Sequence, residues 1–484
     1  MSTPGWVLVV LFIADLGIRI GLSIRVIMRR RPVGVSLAWL FIILVFPFLG
    51  AFVYLLLGEL RLGNRRMQVL RSLIAPCERW IADMRNAFQV DWTDHGVECE
   101  PLARLIENAA GMPALPGNDL QLLRTWSDAL AIMIEDIDAA TRSCCMEFYI
   151  WHLGGKADEV AEALVRAANR GVTCQVLLDA VGSSKFLASP LAKRLRSEGV
   201  HLQRALPGGP FRLLVQRFDL RMHRKVVVID CAVAYTGSLN MVDPRFFKQK
   251  ANVGQWVDAM VRVRGPAVEA VAIGFLGDWA LEQEEHIEQI RADADICRSP
   301  LQGTSTVQVI PTGPTREGDA LQTLLMTIYA ARRELIITTP YFVPDEALLT
   351  ALVSAARRGA EVTLVVPARV DSLLVRLASQ SHVGELLRAG VRVMLFDGGL
   401  LHTKSVMVDG EVCLIGSLNL DPRSLYLNFE ITLGIYDPVV CKDLRALQQS
   451  YIEQSRPLSL EAWNARPPYQ RFTANLTRLM SPLL

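Results

Sequence analysis

At 484 residues the chain is too long for one ordinary core, and about 150 residues per domain implies two to three domains. A mean hydropathy of +0.27 is high for a soluble protein and implies a membrane-embedded part. A net charge of only +2 supplies no global basic field, which argues against nucleic acid as the partner.

Two apolar runs open the chain, and residues 1–60 are predicted to anchor it as a pair of hydrophobic helices. The first run, Trp6 to Met28, is broken by Asp15, Arg19 and Arg25. Asp15 and Arg19 are spaced to pair on one helical face, which offsets the cost of charge at that depth. The second, Val35 to Leu57, carries no charge and is long enough to cross ~30 Å of hydrocarbon. The start is not basic and no small-residue cleavage site follows the first run, unlike a cleavable signal peptide. Arg29, Arg30 and Arg31 lie between the runs; Arg61, Arg65, Arg66 and Arg71 follow them. If both runs cross, these clusters fall on opposite sides, and the positive-inside rule cannot satisfy both.

The nine cysteines, an odd number, include the adjacent pair Cys144 and Cys145 and no CxxC pair at zinc spacing. That pattern suits reduced, buried thiols and favours a catalytic part on the cytoplasmic side.

A charged helical linker is predicted over 61–116, followed by two similar halves, 117–298 and 299–484. In the first, the strands Cys145–Ile150 and Cys174–Leu178 alternate with helices that close at Gly171 and Gly199. In the second, the strands Leu335–Thr339 and Glu361–Val366 alternate with helices that close at Gly359 and Gly390. Glycine is the expected helix terminator. Apolar strands alternating with amphipathic helices indicate an α/β fold with strands covered on both faces. A repeat period of about 180 residues is too long for a solenoid and reads as a duplicated domain.

Each half then presents one motif. The first is His223-x-Lys225-x4-Asp230-x6-Gly237-Ser238-x-Asn240; the second is His402-x-Lys404-x4-Asp409-x6-Gly416-Ser417-x-Asn419. Met222–Ile229 and Leu401–Val408 are predicted as strands, on which His and Lys, two apart, share a face. Gly-Ser permits close backbone approach, and Ser and Asn are candidate donors to an anionic oxygen. A lone histidine is more often a core residue than a catalyst. Two sets with identical spacing are not explained that way. Two imidazoles on one site suit phosphoryl chemistry: one attacks phosphorus and the other protonates the leaving oxygen, while lysines and asparagines stabilise charge. No metal or other cofactor is expected, because no acidic cage is visible.

These motifs resemble the paired HKD signatures of the phospholipase D superfamily. The runs Asp219–Lys225 and Tyr235–Arg245, with Thr339–Pro344, Gly398–Ser405 and Leu427–Glu430, are similar to bacterial cardiolipin synthases of the A type. The likeness covers nearly the whole chain. It implies two α/β/α phospholipase D-like domains related by pseudo-two-fold symmetry. It also implies transfer of a phosphatidyl group between two phosphatidylglycerols through a phosphohistidine. By the same resemblance His223 is the nucleophile, His402 the acid and base, and Asp258 and Glu430 orient the histidines. The catalytic set is then His223, Lys225, Asp230, His402, Lys404 and Asp409, although Asp230 and Asp409 are alternatively structural locks on their strands. Ser238, Asn240, Ser417 and Asn419 would bind substrate. Phosphatidylglycerol, other phospholipids and the bilayer are the implied partners, with a homo-oligomer left open, at a bacterial inner membrane crossed more than once. A hydrolase of the same superfamily is the rival reading; a non-catalytic membrane scaffold would be expected to carry degraded motifs.

Two further stretches are singled out. Phe211, Leu213, Leu214, Val215 and Phe218 are candidates for an apolar approach that excludes water. The C-terminal mixture of Trp463, Tyr469, Phe472, Leu476, Leu479 and Leu483 with Arg466, Arg471 and Arg478 reads either as an interfacial helix or as packing against the second half.

Overall fold

The computed structural model describes residues 5–29, 31, 33–207, 217, 219–283, 298–315 and 318–480. Phe211, Leu213, Leu214, Val215 and Phe218, proposed to exclude water, lie outside the described residues together with Cys297, His286 and Leu483.

The N-terminal region differs from two crossing helices. Helix α1 (Gly5–Met28) is continuous, long and apolar enough to cross a membrane. The second run breaks into α2 (Val33–Val45), α3 (Pro47–Val53) and a π-helical turn Tyr54–Gly58. The break falls at Phe46, ahead of Pro47, because proline cannot supply the N–H that an uninterrupted helix requires. At ~1.5 Å per residue a straight helix would hold Trp39 and Tyr54 some 22 Å apart. Their ring centroids are instead 5.3 Å apart, so α2 and α3 fold back on each other as a V. Glu59 at the end of the V takes Arg25 at 2.5 Å and Arg29 at 3.5 Å, both from the end of α1. The V therefore ends beside the carboxyl end of α1. Within it, Arg19 pairs with Asp15 at 2.8 Å and donates to the Leu44 carbonyl, in the last turn of α2 where carbonyls lack helical partners.

After the helices Asn64–Ala87 and Cys99–Ala110 the chain enters one continuous sheet. Its first-half strands are β1 (Ala114–Leu123), β2 (Ser143–Phe148), β3 (Thr173–Asp179), β4 (His201–Ala205), β5 (Lys225–Ile229), β6 (Val233–Gly237) and β8 (Met260–Arg264), with the two-residue β7 (Trp256–Val257) outside the sheet. The second-half strands are β9 (Ser305–Thr312), β10 (Glu334–Thr338), β11 (Glu361–Pro367), β12 (Arg392–Phe396), β14 (Ser405–Val408), β15 (Val412–Gly416), β16 (Glu430–Ile435) and β17 (Ser455–Pro457). Here β13 (Leu400–Leu401) is the outlier, and it pairs with β7.

Read outward from β1 the order is β8-β6-β5-β2-β3-β4, and outward from β9 it is β16-β15-β14-β10-β11-β12. The antiparallel β1–β9 pair joins the halves, so the pseudo-two-fold passes between them. In each half three successive strands, β2-β3-β4 and β10-β11-β12, run parallel and the inner ones antiparallel, and the short β17 adds an antiparallel edge beyond β12. Strand β1 begins at Ala114, so the boundary predicted at residue 117 falls inside a strand that belongs to both sheets' join. The strands are almost wholly buried, with apolar side chains on both faces, as helices on both sides of a sheet require. At the C-terminus the helix Pro468–Met480 buries Ala474 and Thr477 but leaves Tyr469, Phe472 and Leu476 exposed, so it packs on one face and keeps an apolar outer face.

Candidate active site

The two motifs meet across the pseudo-two-fold, beyond Gly237 at the end of β6 and Gly416 at the end of β15. The predicted strands start later than expected: β5 begins at Lys225 and β14 at Ser405, and each histidine sits in the irregular lead. Those leads are held across the pseudo-two-fold. The His223 N–H donates to the Phe429 carbonyl at 2.9 Å, and the His402 N–H to the Val257 carbonyl at 2.8 Å. Each histidine is thus clamped beside the acid of the opposite half.

The side chains repeat that exchange. His223 Nδ1 lies 2.8 Å from Glu430, and His402 Nδ1 lies 2.7 Å from Asp258. A carboxylate at Nδ1 fixes that nitrogen as N–H and leaves Nε2 with its lone pair free. Ser238 Oγ donates to Asp258 at 2.7 Å and accepts from the Ala259 N–H at 3.1 Å. Ser417 does the same, donating to Glu430 at 2.5 Å and accepting from the Ile431 N–H at 2.9 Å. The serines assigned to substrate are therefore committed to the acids. Their glycines explain how they reach: a Cβ on Gly237 would lie 2.5 Å from the Ala259 carbonyl, and one on Gly416 2.3 Å from that of Ile431.

Lys225 Nζ and Lys404 Nζ each donate to the carbonyl of their own histidine at 2.6 Å. Asn240 accepts from the Ile150 N–H at 3.2 Å, and its amide nitrogen has no protein partner. Asn419 Nδ2 donates to Ser424 at 3.2 Å, with its oxygen unpartnered.

Asp230 and Asp409, included in the expected catalytic set, do not join it. Each sits at a left-handed turn, φ 52° and 54°, and accepts N–H groups that open a neighbouring strand. Asp230 takes those of Thr141, Arg142 and Ser143, and Asp409 those of Arg332, Arg333 and Glu334. They lock β2 and β10 in place, as the structural alternative anticipated.

Burial governs the electrostatics. It lowers both His223 and His402 to about 4, against the pull of their carboxylates, so both imidazoles are neutral near pH 7. Burial also lowers Lys225 to about 8 and Lys404 to about 7. Asp258 and Glu430 stay below the usual carboxylate range despite burial, held there by their histidine partners and the lysines.

Other residues at the site escaped the sequence reading. The Tyr149 ring lies 5.0 Å from that of His223, and the Trp256 ring 4.2 Å from that of His402. Asp371 accepts from Tyr341 at 2.8 Å and pairs with Lys248 at 2.8 Å, tying the halves together at the rim. Asp421 caps the helix Pro422–Tyr426, and burial raises it to about 6. Each motif is followed by Asp-Pro-Arg, at 243–245 and at 421–423, and this repeat was the available signal for Asp421; the rings had none, because neither occupies a repeated position.

The comparisons agree with this geometry. The family described as cardiolipin synthase, PLD-like domain, matches residues 133–263 and 324–451, one copy in each half. The phospholipase D-nuclease N-terminal family matches residues 17–59. Fold and site together define a two-domain phospholipase D-like phosphatidyltransferase. The chain belongs to the cardiolipin synthase family of that superfamily. It is 45% identical to cardiolipin synthase A of Yersinia pseudotuberculosis and of Yersinia pestis, over 96% of either chain. The fold is also that of Haemophilus influenzae phosphatidylserine synthase, with a TM-score of 0.61 and 16% identity over 79% of this chain and all of that one.

Proposed function

We propose that this chain makes cardiolipin and glycerol from two phosphatidylglycerols. The observation that carries the mechanism is the crossed pairing of His223 with Glu430 and His402 with Asp258. It leaves one free Nε2 from each half at one site.

Nε2 of His223 attacks the donor phosphorus. The phosphorus–oxygen bond to glycerol breaks, and the departing oxygen takes a proton from Nε2 of His402. Glu430 stabilises the charge that His223 acquires. The now neutral His402 removes the proton from a terminal hydroxyl of the second lipid. That oxygen attacks phosphorus, the nitrogen–phosphorus bond breaks, and His223 is restored. Lys225, Lys404 and the free amide N–H of Asn240 are the donors for the non-bridging oxygens. With both imidazoles neutral in the empty site, the proton His402 gives away is taken up from solvent as the lipid binds, because the negative phosphate offsets the field of the two lysines and favours the protonated imidazole. Near-complete burial of both rings, 7% and 2% exposed, disfavours water as the acceptor.

We further infer that the enzyme sits in a bacterial inner membrane with α1 as its single crossing, in place of the two expected, and the α2–α3 V as a re-entrant element. This arrangement puts the arginines after α1 and those after Gly58 on one side, which resolves the charge conflict and makes that side cytoplasmic. The eight described cysteines are free thiols, in keeping with a reducing compartment.

Mass spectrometry of products from defined phosphatidylglycerol tests the activity. Cardiolipin and glycerol in equal amounts are expected; phosphatidic acid without cardiolipin would make the chain a hydrolase.

A further inference from the structure

We infer that the mouth of the active site is itself a bilayer-docking surface, built from a ring of exposed apolar side chains set among basic ones. The inference rests on the lipid substrate proposed above. Leu153, Val181, Phe246, Leu373 and Leu374 are each between 36% and 59% exposed. Leu153 follows the carboxyl end of β2, Val181 that of β3 and Phe246 that of β6, three strands of one direction in the first half, while Leu373 and Leu374 follow the carboxyl end of β11 in the second half. Strands β2 and β3 are parallel, and β6, antiparallel to β5 as β5 is to β2, ends on the same side.

Contacts link these segments to one another and to His223. The Phe246 ring covers the Gly154–Gly155 turn next to Leu153, within about 3 Å of where Cβ atoms would stand. The Lys248–Asp371 ion pair ties the Phe246 segment to the start of the helix that carries Leu373 and Leu374. Beside Val181, Ser183 donates to the carbonyl of Tyr149, whose ring lies against His223.

Two observations select a membrane as the occupant. First, exposed Lys185, Arg245, Lys250 and Arg369 stand among the apolar residues. Apolar side chains ringed by cations match the acyl boundary and anionic headgroups of a bilayer. Second, the apolar N-terminal anchor joins the molecule beside the catalytic residues. The Arg61 carbonyl accepts from the Arg217 N–H at 2.8 Å, and Leu62 packs beside Met222 and Phe429, the residues that precede His223 and Glu430. The chain that follows Glu59 thus meets the protein next to the two leads that carry His223 and Glu430. A headgroup would enter between the rings of Tyr149 and Trp256 without leaving the interface.

The test uses the full chain in vesicles and two substrates: long-chain phosphatidylglycerol in the bilayer, and a short-chain phosphatidylglycerol added as monomer. For Phe246→Asp and for Leu373→Asp/Leu374→Asp we expect at least a tenfold loss on the bilayer substrate and less than a twofold loss on the monomer. Equal losses on both, or none on either, overturn the docking surface. A polarity-sensitive dye on Leu374→Cys gives a readout free of turnover. Quenching by lipids brominated high on the acyl chain is expected; no quenching overturns the surface even if the wild-type protein transfers normally. Quenching without any cardiolipin from the wild type would leave the surface standing and remove the activity.

Discussion

His223 presents Nδ1 to Glu430 at 2.8 Å, across 207 residues of chain, and Ser417 holds the same carboxylate oxygen at 2.5 Å. The acid is thus a part of the second half that sets the tautomer of a histidine in the first. Glu430→Gln keeps the shape but can donate to Nδ1 and turn the imidazole to the wrong tautomer. We expect kcat to fall roughly 10³-fold with KM little changed. Steady-state kinetics on mixed micelles measure it, and a loss below threefold would dismiss Glu430 as a positioning residue.

The two histidines have separable effects. His223→Ala removes the nucleophile, and His402→Ala removes the group that must take a proton from the second lipid. Both should lower turnover by more than 10³-fold. Rapid quenching with lipid labelled in its phosphate should trap label on the His402→Ala protein alone. Label on His223→Ala instead would exchange the two roles, and no label on either would remove the covalent intermediate.

Activity should follow a bell in pH. In the free enzyme both imidazoles have been lowered to about 4, so acid protonates the nucleophile and kcat/KM falls as pH drops through that value. On the alkaline side Lys404, lowered to about 7, and Lys225, lowered to about 8, lose their charges in turn. Because the reactive complex holds one proton more than the free enzyme, kcat/KM should already fall as pH rises above about 4, and fall more steeply across pH 7 to 8 as these donors become neutral. Because lipid brings its own negative charge, its binding should take up a proton. Calorimetry with a phosphodiester inhibitor in two buffers of different ionisation enthalpy reads that uptake directly, and a heat independent of buffer would contradict it.

The repeat carried the fold into view. Equal spacing of His, Lys, Asp, Gly-Ser and Asn in two places implies two equal domains, and the strand order mirrored about β1 and β9 is that duplication folded. What the repeat could not reveal is which half each acid serves. Local spacing ties Asp258 to the His223 motif and Glu430 to the His402 motif, yet each hydrogen-bonds the other histidine, because β7 pairs with β13 and Met222 bridges Phe429. Side-chain chemistry alone likewise made Ser238 and Ser417 look free for substrate. Only the close approach at Gly237 and Gly416 shows their oxygens already taken. The second apolar run read as one span because hydropathy does not register a missing N–H at Pro47.

The pseudo-symmetry fails beneath the histidines, at the residue between His and Lys. Arg224 is buried, donates to the Glu430 carbonyl at 3.0 Å and the Thr312 carbonyl at 3.3 Å, and pairs with Asp278. Glu147, fully buried on β2, stands in the same cluster, and burial followed by the nearness of Asp278 raises its carboxyl well above the usual range. The corresponding Thr403 makes only neutral bonds, to the Val257 carbonyl and the Tyr451 hydroxyl, each at 3.2 Å. Removing one partner of a buried ion pair leaves an uncompensated charge, at a cost of about 3–5 kcal/mol. Losing a neutral hydrogen bond costs about 1 kcal/mol. Arg224→Thr, which copies the second half into the first, should therefore lower the denaturation midpoint far more than Thr403→Val. It should also slow turnover, because the backbone of Glu430 loses its clamp. Denaturant titration of the two variants in the same detergent decides it: equal shifts would mean that Asp278 and Glu147 give up their charge without a cation, and that Arg224 does not hold Glu430 in place.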